Sequence, residues 1–400
     1  MPAEIISVSD QIKQPPRVGT FSTGLALFSM FFGAGNLIFP LIIGRMSGTE
    51  TNSAILGLGI SAVIFPFLGL IAMMFYSADI HLFFKRLGKW PSLIFLFVLQ
   101  MSQGPFGAMP RLVTLMHASI KTYLPGLSLG FFSILICTVI FFLTVRPQKI
   151  VHLLGVILTP LLLLTLASLI FFGAIHPPDV QPVLEGSGHY FGQGLKMGYQ
   201  TTDLIAALLF AMVVWPHLSQ GTDSLPPEEG KRLIRRRMTG ASLIAASLLM
   251  VTYVGLCWLS AHHSWTLDPN LASEDLLQGI ALKILGPIGG LVAAVAVFLA
   301  CLTTAISLAS VFSQYIQKDL LPNRMGNPSA LLLTLGISAA IANLGFGGIV
   351  RLWGPLLEVI YPALIVLCVL NIAHSLYKFK TVQAPVFFAL AVALGGLCFG

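Results

Sequence analysis

Long apolar segments separated by short polar ones run through this sequence from about residue 20 to its end. A helix needs roughly 20 residues to cross the hydrocarbon core of a bilayer. None of the segments alternates with the period of two that marks a membrane barrel, so helices are predicted. We count eleven spans, at 21–43, 53–77, 91–117, 127–145, 150–175, 195–219, 238–260, 281–311, 329–346, 349–373 and 383–400.

The composition supports a protein that lives in lipid. Hydrophobic residues make up 56% of the chain and charged residues only 9%, and the mean hydropathy is +0.89. An ordinary soluble domain carries about 25% charged residues. The five cysteines all fall within apolar spans, at spacings that suit neither a zinc site nor a disulfide framework. We therefore predict one all-α, polytopic transmembrane domain over residues 1–400.

Basic residues gather on one side of the predicted spans. If the N-terminus is cytoplasmic, the inner segments carry 16 of the 22 lysines and arginines, with the run KRLIRRR at 231–237 the densest. The positive-inside rule then predicts a cytoplasmic N-terminus and, after eleven crossings, a C-terminus outside. This topology signal explains the net charge of +7 without a nucleic-acid partner. No cleavable signal peptide is expected, because the first twenty residues are polar.

The first span contains residues that disfavour a helix. It reads FSMFFGAGNLIFPLIIG from Phe28 to Gly44, with glycines at 33 and 35 and a proline at 40. Glycine costs about 1 kcal/mol in a helix interior relative to alanine, and proline lacks a backbone donor. Two interpretations fit: the stretch only kinks the helix or lets two helices pack closely, or it unwinds at mid-membrane.

An unwound stretch would leave peptide groups for a solute. The N–H groups of Gly33, Ala34 and Gly35 could hold an anion at the positive end of the half-helix that follows, with the Asn36 amide beside them. Freed carbonyls between Ser29 and Phe32 could hold a hard cation. Such groups persist only where protein or a watery cavity satisfies them.

The sixth span carries a second set of unusual residues. It reads KMGYQTTDLIAALLFAMVVWPHLS, with polar residues from Tyr199 to Asp203 and a proline at 216 that we expect to interrupt its inner part. A unit of five spans crosses the membrane an odd number of times, so a second copy of it would enter the membrane from the opposite side. Spans 1–5 and 6–10 would therefore form two units of inverted orientation, each beginning with a broken helix. The units are 20–175 and 190–373, with 383–400 as an extra terminal helix. Matched breaks of this kind indicate the substrate site of a secondary transporter.

Several motifs resemble those of the bacterial branched-chain amino acid:cation symporters, the LIVCS or BrnQ-type family. FFGAGNLIFP at 31–40 is similar to the signature of that family, and the likeness continues in order along nearly the whole chain. It includes GPFGAMPR at 104–111, GYQTTD at 198–203, ACLTTAISL at 300–308 and ANLGF…GPLLEVIYPALIVL at 342–367. Members generally have about twelve spans, whereas this sequence ends within the eleventh, a departure that bears on assembly more than on chemistry.

The resemblance implies a LeuT-type fold, with spans 1 and 6 broken around a central site. It also implies sodium-coupled import of leucine, isoleucine or valine across the cytoplasmic (inner) membrane of a bacterium. In such a fold span 8 is the sodium partner of span 1, so Ala300, Thr303 and Thr304 would join carbonyls at Ser29 and Phe32. The substrate would lie between Gly33, Ala34, Gly35 and Asn36 in span 1 and Tyr199, Thr201, Thr202 and Asp203 in span 6. Without the resemblance, Thr303 and Thr304 would be interpreted as bonding their own preceding carbonyls.

Three ionisable residues inside spans are functional candidates, because charge at membrane depth is costly. Asp203 either contributes to the ammonium or ion site or caps a half-helix. Arg111 in span 3 is an internal ion-pair partner or gate, or a packed structural arginine. Glu358 in span 10 lies among apolar neighbours, within reach of Arg351 two turns earlier. It is the natural carrier if coupling is to protons, although a structural role is favoured.

Other functional classes find less support. No nucleophile–base pair, Walker A motif or metal-ligand cluster occurs in the sequence, so neither an enzyme nor an ATP-driven pump is expected. A channel would show repeated filter loops or rings of charge. The remaining alternatives are the same fold driven by protons, or one that selects another apolar amino acid such as methionine. We expect no cofactor apart from the coupling ion, and no obligatory protein partner.

Overall fold

The protein is described by a computed structural model that covers residues 19–146, 150–175, 177–183, 185–222, 224–322, 324–378 and 381–399. Within these ranges all regular structure is helical, which confirms the predicted all-α class. Of the charges that predict the orientation, Lys13, Arg17, Lys149 and Lys380 lie outside the described residues.

The helices follow the predicted spans closely. Spans 1 to 5 consist of α1 (Thr20–Phe31), α2 (Ala34–Ser47), α3 (Thr51–Gly59), α4 (Phe65–Phe75), α5 (Ile80–Phe84), α6 (Lys89–Gln103), α7 (Ala108–Lys121), α8 (Leu129–Thr144), α9 (Ile150–His152) and α10 (Thr159–Ile175). Spans 6 to 11 consist of α11 (Ser187–Gln200), α12 (Asp203–Ser219), α13 (Pro227–His263), α14 (Leu276–Tyr315), α15 (Asn327–Ala342), α16 (Gly345–Tyr377) and α17 (Gln383–Phe399). Single π-helical turns join α3 to α4 and α9 to α10.

Length and composition fit a membrane protein. Among the described residues, seven helical stretches are long and apolar enough to cross a membrane, and four shorter apolar helices accompany them. Together they account for the eleven predicted spans. Large apolar side chains such as Phe131, Phe142 and Ile288 are more than 60% exposed on the outer surface of the bundle. A soluble protein would bury such side chains, whereas lipid solvates them.

The contacts between helices occur in matched pairs. Span 1 packs along span 7, through α1 and α2 against α13, and span 6 packs in the same way along span 2, through α11 against α3 and α12 against α4. Span 1 also contacts span 5, and span 6 contacts span 10. If each span is replaced by the one five places away in the sequence, the contact of span 1 with span 7 becomes that of span 6 with span 2. The contact of span 1 with span 5 likewise becomes that of span 6 with span 10. This pairing is expected of two related five-helix units, and the predicted repeat architecture is confirmed.

Two interruptions were predicted, in spans 1 and 6, and both are present. A third lies in span 3, where α6 ends at Gln103 and α7 begins at Ala108. The Trp353 indole N–H donates to the Phe106 carbonyl at 2.6 Å, so span 10 satisfies part of that break. Span 8 also bends at Gly286, whose φ of +62° is accessible mainly to glycine. Its outer ten residues therefore form a separate short helix before Pro287.

The expected interruption at Pro216 does not occur. Helix α12 continues through this proline and ends only at Ser219. A proline removes a single backbone hydrogen bond. Because few residues follow Pro216 before the helix ends anyway, that loss does not break α12. Pro40 also lies inside a helix, α2, without ending it.

Candidate functional site

Span 1 breaks at Phe32 and Gly33. The Phe32 N–H still bonds the Phe28 carbonyl at 2.8 Å, and the Gly33 N–H then turns back to the Phe31 carbonyl at 2.8 Å. Gly33 is extended (φ −113°, ψ −154°), and α2 starts at the next residue. The helix predicted to unwind at this depth is therefore two half-helices.

The break leaves peptide groups free on both sides. The first N–H groups of a helix have no partner within it, and those of Ala34, Gly35 and Asn36 bond no other described residue. Before the break, the carbonyls of Met30 and Phe32 likewise accept no hydrogen bond within the described chain. Donors for an anion and acceptors for a cation thus lie within a few residues of each other.

The two glycines allow other spans to approach closely. A side chain at position 33 would begin 3.0 Å from the Thr304 hydroxyl oxygen of span 8. One at position 35 would begin 3.0 Å from the Thr201 Cα and 3.3 Å from Arg111 Nη2. Each contact is tighter than a Cβ atom normally makes, so these glycines are required by packing as well as by the break.

Span 6 breaks at Thr201 and Thr202, opposite the break in span 1. Thr202 adopts a left-handed conformation (φ +66°), which is rare for a β-branched residue and indicates local strain. Side chains of neighbouring spans hold the segment: Gln103 Nε2 donates to the Thr202 carbonyl at 3.1 Å. The Tyr361 hydroxyl accepts the Leu204 N–H at 2.9 Å.

Asp203 begins α12 and joins the two broken helices. Asn36 Nδ2 donates to its Oδ2 at 2.6 Å, and the Tyr253 hydroxyl donates to the same oxygen at 3.0 Å. Asn36 and Tyr253 also contact each other directly. Asp203 is 1% exposed and Asn36 2%, so this three-residue network is sealed from solvent.

Span 8 meets the end of α1 through two threonines. The Thr303 hydroxyl lies 2.9 Å from the Ser29 carbonyl and 3.0 Å from the Ala300 carbonyl, and the Thr304 hydroxyl lies 3.2 Å from the same Ser29 oxygen. One hydroxyl has one proton, so Thr303 cannot donate to both carbonyls at once. Two carbonyl and two hydroxyl oxygens therefore lie close together, and oxygen atoms of this kind are the ligands that a hard cation prefers.

A small cavity of about 30 Å³ lies between these elements. It has space for about one or two water molecules, whereas small-molecule sites are typically roughly 300 Å³ or larger. Its wall combines the polar groups of both breaks with apolar side chains. The lining residues are Met30, Phe31, Gly33, Ala34, Gly35, Asn36, Gln103, Ala108, Arg111, Leu112, Thr201, Thr202, Asp203, Ala206, Phe210, Thr304 and Leu308.

The structure thus brings together most of the expected residues, with two exceptions. Tyr199 faces away from the cavity and packs its ring against Tyr361, with ring centroids 4.9 Å apart. Glu358 is exposed on α16, does not line the cavity, and forms no ion pair with Arg351 in the described structure. Of the alternatives for Glu358, pairing with Arg351 is thus absent from the described structure, and its role in coupling stays a prediction.

Two polar residues at the site were not foreseen from the sequence. Gln103 precedes the Gly-Pro pair that breaks span 3, and Tyr253 is an isolated tyrosine in span 7. Both are at most 2% exposed. The sequence offered only a general indication of these two residues, namely that a polar side chain deep in an apolar span needs a partner.

Comparison with known proteins gives the family. The sequence model of a family described as "Branched-chain amino acid transport protein" matches residues 17–398. The chain belongs to this family. It is therefore a membrane transporter of the branched-chain amino acid transport family and not an enzyme.

Individual proteins agree with this membership. The branched-chain amino acid permease BraB of Bacillus subtilis (strain 168) is 32% identical over 371 residues, which cover 91% of this chain and 82% of the permease. BrnQ, a second such permease of that organism, is 29% identical over 381 residues, or 93% and 85% of the two chains. The solved structure of a Na⁺-coupled sialic acid symporter, in a substrate-bound outward-open state, superposes with a TM-score of 0.55. It shares 11% identity, with 96% of this chain and 91% of that one covered, and shows the common LeuT-type fold.

Proposed function

We propose that this transporter imports leucine, isoleucine or valine by alternating access, coupled to the entry of sodium. The observation that carries the proposal is the junction of the two broken helices. Free amides of α2, carbonyls of the span 6 break and an apolar wall all face one cavity. A branched-chain amino acid presents the matching set: a carboxylate, an ammonium and an aliphatic side chain.

Each part of the substrate has a counterpart. The N–H groups of Ala34, Gly35 and Asn36 point from a helix N-terminus and suit the carboxylate. The ammonium suits the Thr201 carbonyl, which accepts no hydrogen bond from described residues. The Asp203 carboxylate nearby, which accepts a hydrogen bond from Asn36, would also attract the ammonium. Met30, Phe31, Leu112, Phe210 and Leu308 supply the apolar wall.

Sodium would bind where span 8 meets the end of α1. Ser29, Phe32 and Ala300 would contribute carbonyl oxygens, and Thr303 and Thr304 would contribute hydroxyls. The convergence of Thr303 and Thr304 on the Ser29 oxygen supports this assignment. Because the same α1 residues flank the substrate amides, an ion there would hold the half-helix in the geometry that binds substrate.

Transport requires a change of shape, since the central cavity is far too small for an amino acid. A second cavity of about 240 Å³ lies nearer the end of the bundle predicted to be cytoplasmic, with Met212, Pro216, His217 and Gln314 among its lining residues. Phe31 and Phe210 both line the central cavity and pack edge to face with centroids 5.4 Å apart, and Met212, two residues after Phe210, lines the second cavity. Separation of these rings would open an inward path, and their contact would close it.

Binding of radiolabelled leucine to the purified full-length protein tests the proposal. Leucine should bind in sodium chloride and bind much more weakly in choline chloride, with valine and isoleucine competing. Undiminished binding and uptake in choline would overturn sodium coupling. Uptake driven instead by an imposed proton gradient would favour the proton-coupled alternative, for which Asp203 is the buried carboxyl. Stronger competition by methionine than by any branched-chain amino acid would overturn the substrate assignment.

The orientation can be tested in the same preparation. We propose that the N-terminus lies in the cytoplasm, as the basic residues predict, and that the protein resides in the inner membrane of a bacterium, as the resemblance to the family implies. Single cysteines placed near Arg232 and near Asn270 should be labelled from opposite sides of intact cells. Labelling of the Arg232 position from outside would overturn the orientation.

A further inference from the structure

Arg111 stands out among the residues at the site because its charge has no fixed partner. It lies in the first turn of α7, is 4% exposed and lines the central cavity. Its guanidinium forms no ion pair with any carboxylate in the described ranges. An uncompensated charge in a low-dielectric interior is strongly unfavourable. An arginine that is buried in this way and forms no ion pair suits an anionic ligand.

Two aromatic rings pack against the guanidinium. The Arg111 Cζ lies 5.7 Å from the centre of the Phe39 ring and 5.5 Å from that of Phe346. Nη2 donates to the Gln200 carbonyl at 3.3 Å, while Nε is buried without a hydrogen-bond partner. Rings stabilise the faces of a guanidinium, whereas carboxylates bind its edge through two parallel hydrogen bonds. The arrangement suits a planar anion.

The guanidinium also lies beside the free amides of α2. A Cβ atom at Gly35 would be 3.3 Å from Arg111 Nη2, so the cation and the start of this half-helix are nearly in contact. Asp203 lines the same cavity and attracts the guanidinium electrostatically, but it lies too far away to form an ion pair with Arg111; its Oδ2 accepts hydrogen bonds from Asn36 and Tyr253. Backbone donors and one unpaired cation thus converge on the same part of the cavity.

We propose that Arg111 recognises the carboxylate of the transported amino acid and is the residue that makes the transporter require one. This inference rests on the proposed function and goes beyond a gate or a structural arginine. The amides of α2 contribute dipoles, and Arg111 contributes the full charge that the substrate neutralises. The Arg111 guanidinium has no carboxylate at ion-pair distance among the described residues, and the carboxylate of the substrate would supply one.

The test compares leucine with leucinol, which retains the ammonium and the side chain but has a hydroxyl in place of the carboxylate. Dissociation constants of both are measured in saturating sodium on the purified parent protein and on Arg111→Gln. In the parent, leucine should bind at least about 30-fold more tightly than leucinol, the lower end of the effect for one member of a buried charge pair. In Arg111→Gln this preference should fall to about threefold or less, with leucinol affinity changed little.

Two variants complete the design. Arg111→Lys retains the charge but loses the planar fork, so the preference should fall to an intermediate value; it carries the test if Arg111→Gln is not recovered as folded protein. Thr334→Ala changes a buried threonine that does not line the central cavity and whose hydroxyl bonds only the Ala330 carbonyl of its own helix, so its leucine-to-leucinol ratio should equal that of the parent. If Arg111→Gln weakens leucine and leucinol by the same factor, the role of Arg111 is structural and the inference is overturned. A parent that binds no leucine overturns the proposed function and this inference together.

Discussion

The two broken helices solve the same structural problem in opposite ways. Glycines make the break in span 1, and three amides of α2 are left without partners among the described residues. The break in span 6 occurs at two threonines, and neighbouring spans occupy its groups: Gln103 bonds the Thr202 carbonyl, and Tyr361 accepts the Leu204 N–H. One break is open and the other is largely closed.

This difference suggests a division of labour. Open amides in span 1 can exchange partners as substrate enters and leaves, whereas the bonded segment of span 6 keeps a fixed shape against which the substrate is positioned. Polar groups held in place by their neighbours need no reorganisation when a ligand binds. The following experiments would break or sharpen this comparison, from the largest expected effect to the smallest.

Filling the space at the open break should have the largest effect. A leucine at position 35 would place its Cβ 3.0 Å from the Thr201 Cα and its remaining atoms in the cavity. We expect Gly35→Leu to reduce leucine affinity at least about 100-fold, since overpacking and loss of an anchoring contact act together. Equilibrium binding of leucine to the purified variant measures this.

Gly336→Leu is the matched control. Gly336 also lies within a membrane helix, but a side chain there meets nothing within 4 Å. Its leucine affinity should equal that of the parent. Parent-like leucine binding by Gly35→Leu would show that the amides of α2 do not hold the substrate.

Removing a hydroxyl at the junction of spans 1 and 8 should affect the ion more than the substrate. Thr304→Ala deletes one of the two hydroxyls that reach the Ser29 carbonyl. Loss of one ligand worth about 1.4 kcal/mol would raise the half-saturating sodium concentration about tenfold. At saturating sodium, leucine affinity should change less than about twofold.

Thr334→Ala provides the comparison for that variant. Thr334 is equally buried, and its hydroxyl bonds only the Ala330 carbonyl of its own helix at 2.7 Å. It should leave the sodium dependence of leucine uptake unchanged. A parent-like sodium response in Thr304→Ala would remove this residue from the ion site.

Removing a hydrogen bond from the break in span 6 should lower the stability of the fold more than it lowers the affinity for leucine. Tyr361→Phe leaves the Leu204 N–H without its acceptor. An unsatisfied buried donor costs about 1–3 kcal/mol, so the unfolding temperature should fall by several degrees. Leucine affinity should weaken about threefold to fivefold, because ordering the segment then draws on binding free energy. An unchanged unfolding temperature would indicate that span 6 does not depend on this bond.

A change outside both breaks should have no effect. Glu358 is exposed on α16, so Glu358→Gln should leave leucine uptake within about twofold of the parent at every pH tested. A flattened pH profile would instead make this carboxyl a proton carrier and contradict its position in the structure. Asp203→Asn is measured in parallel for comparison, because Asp203 is the buried carboxyl at the site.

The sequence by itself determined the membrane class and the eleven helical segments, because hydrophobic length is a local property. It left the stretch at Gly33 as either a kink or a break, and the structure shows a break. The sodium-site residues on span 8 came from resemblance to a family, and the structure brings Thr303 and Thr304 against Ser29.

Only the tertiary structure decided the rest. It placed the second break at a left-handed threonine instead of at Pro216, turned Tyr199 away from the cavity and left Glu358 on the surface. It also brought Gln103 and Arg111 of span 3 and Tyr253 of span 7 to the site. Those outcomes depend on which buried polar group finds a partner, and such partners lie 50 or more residues apart in sequence.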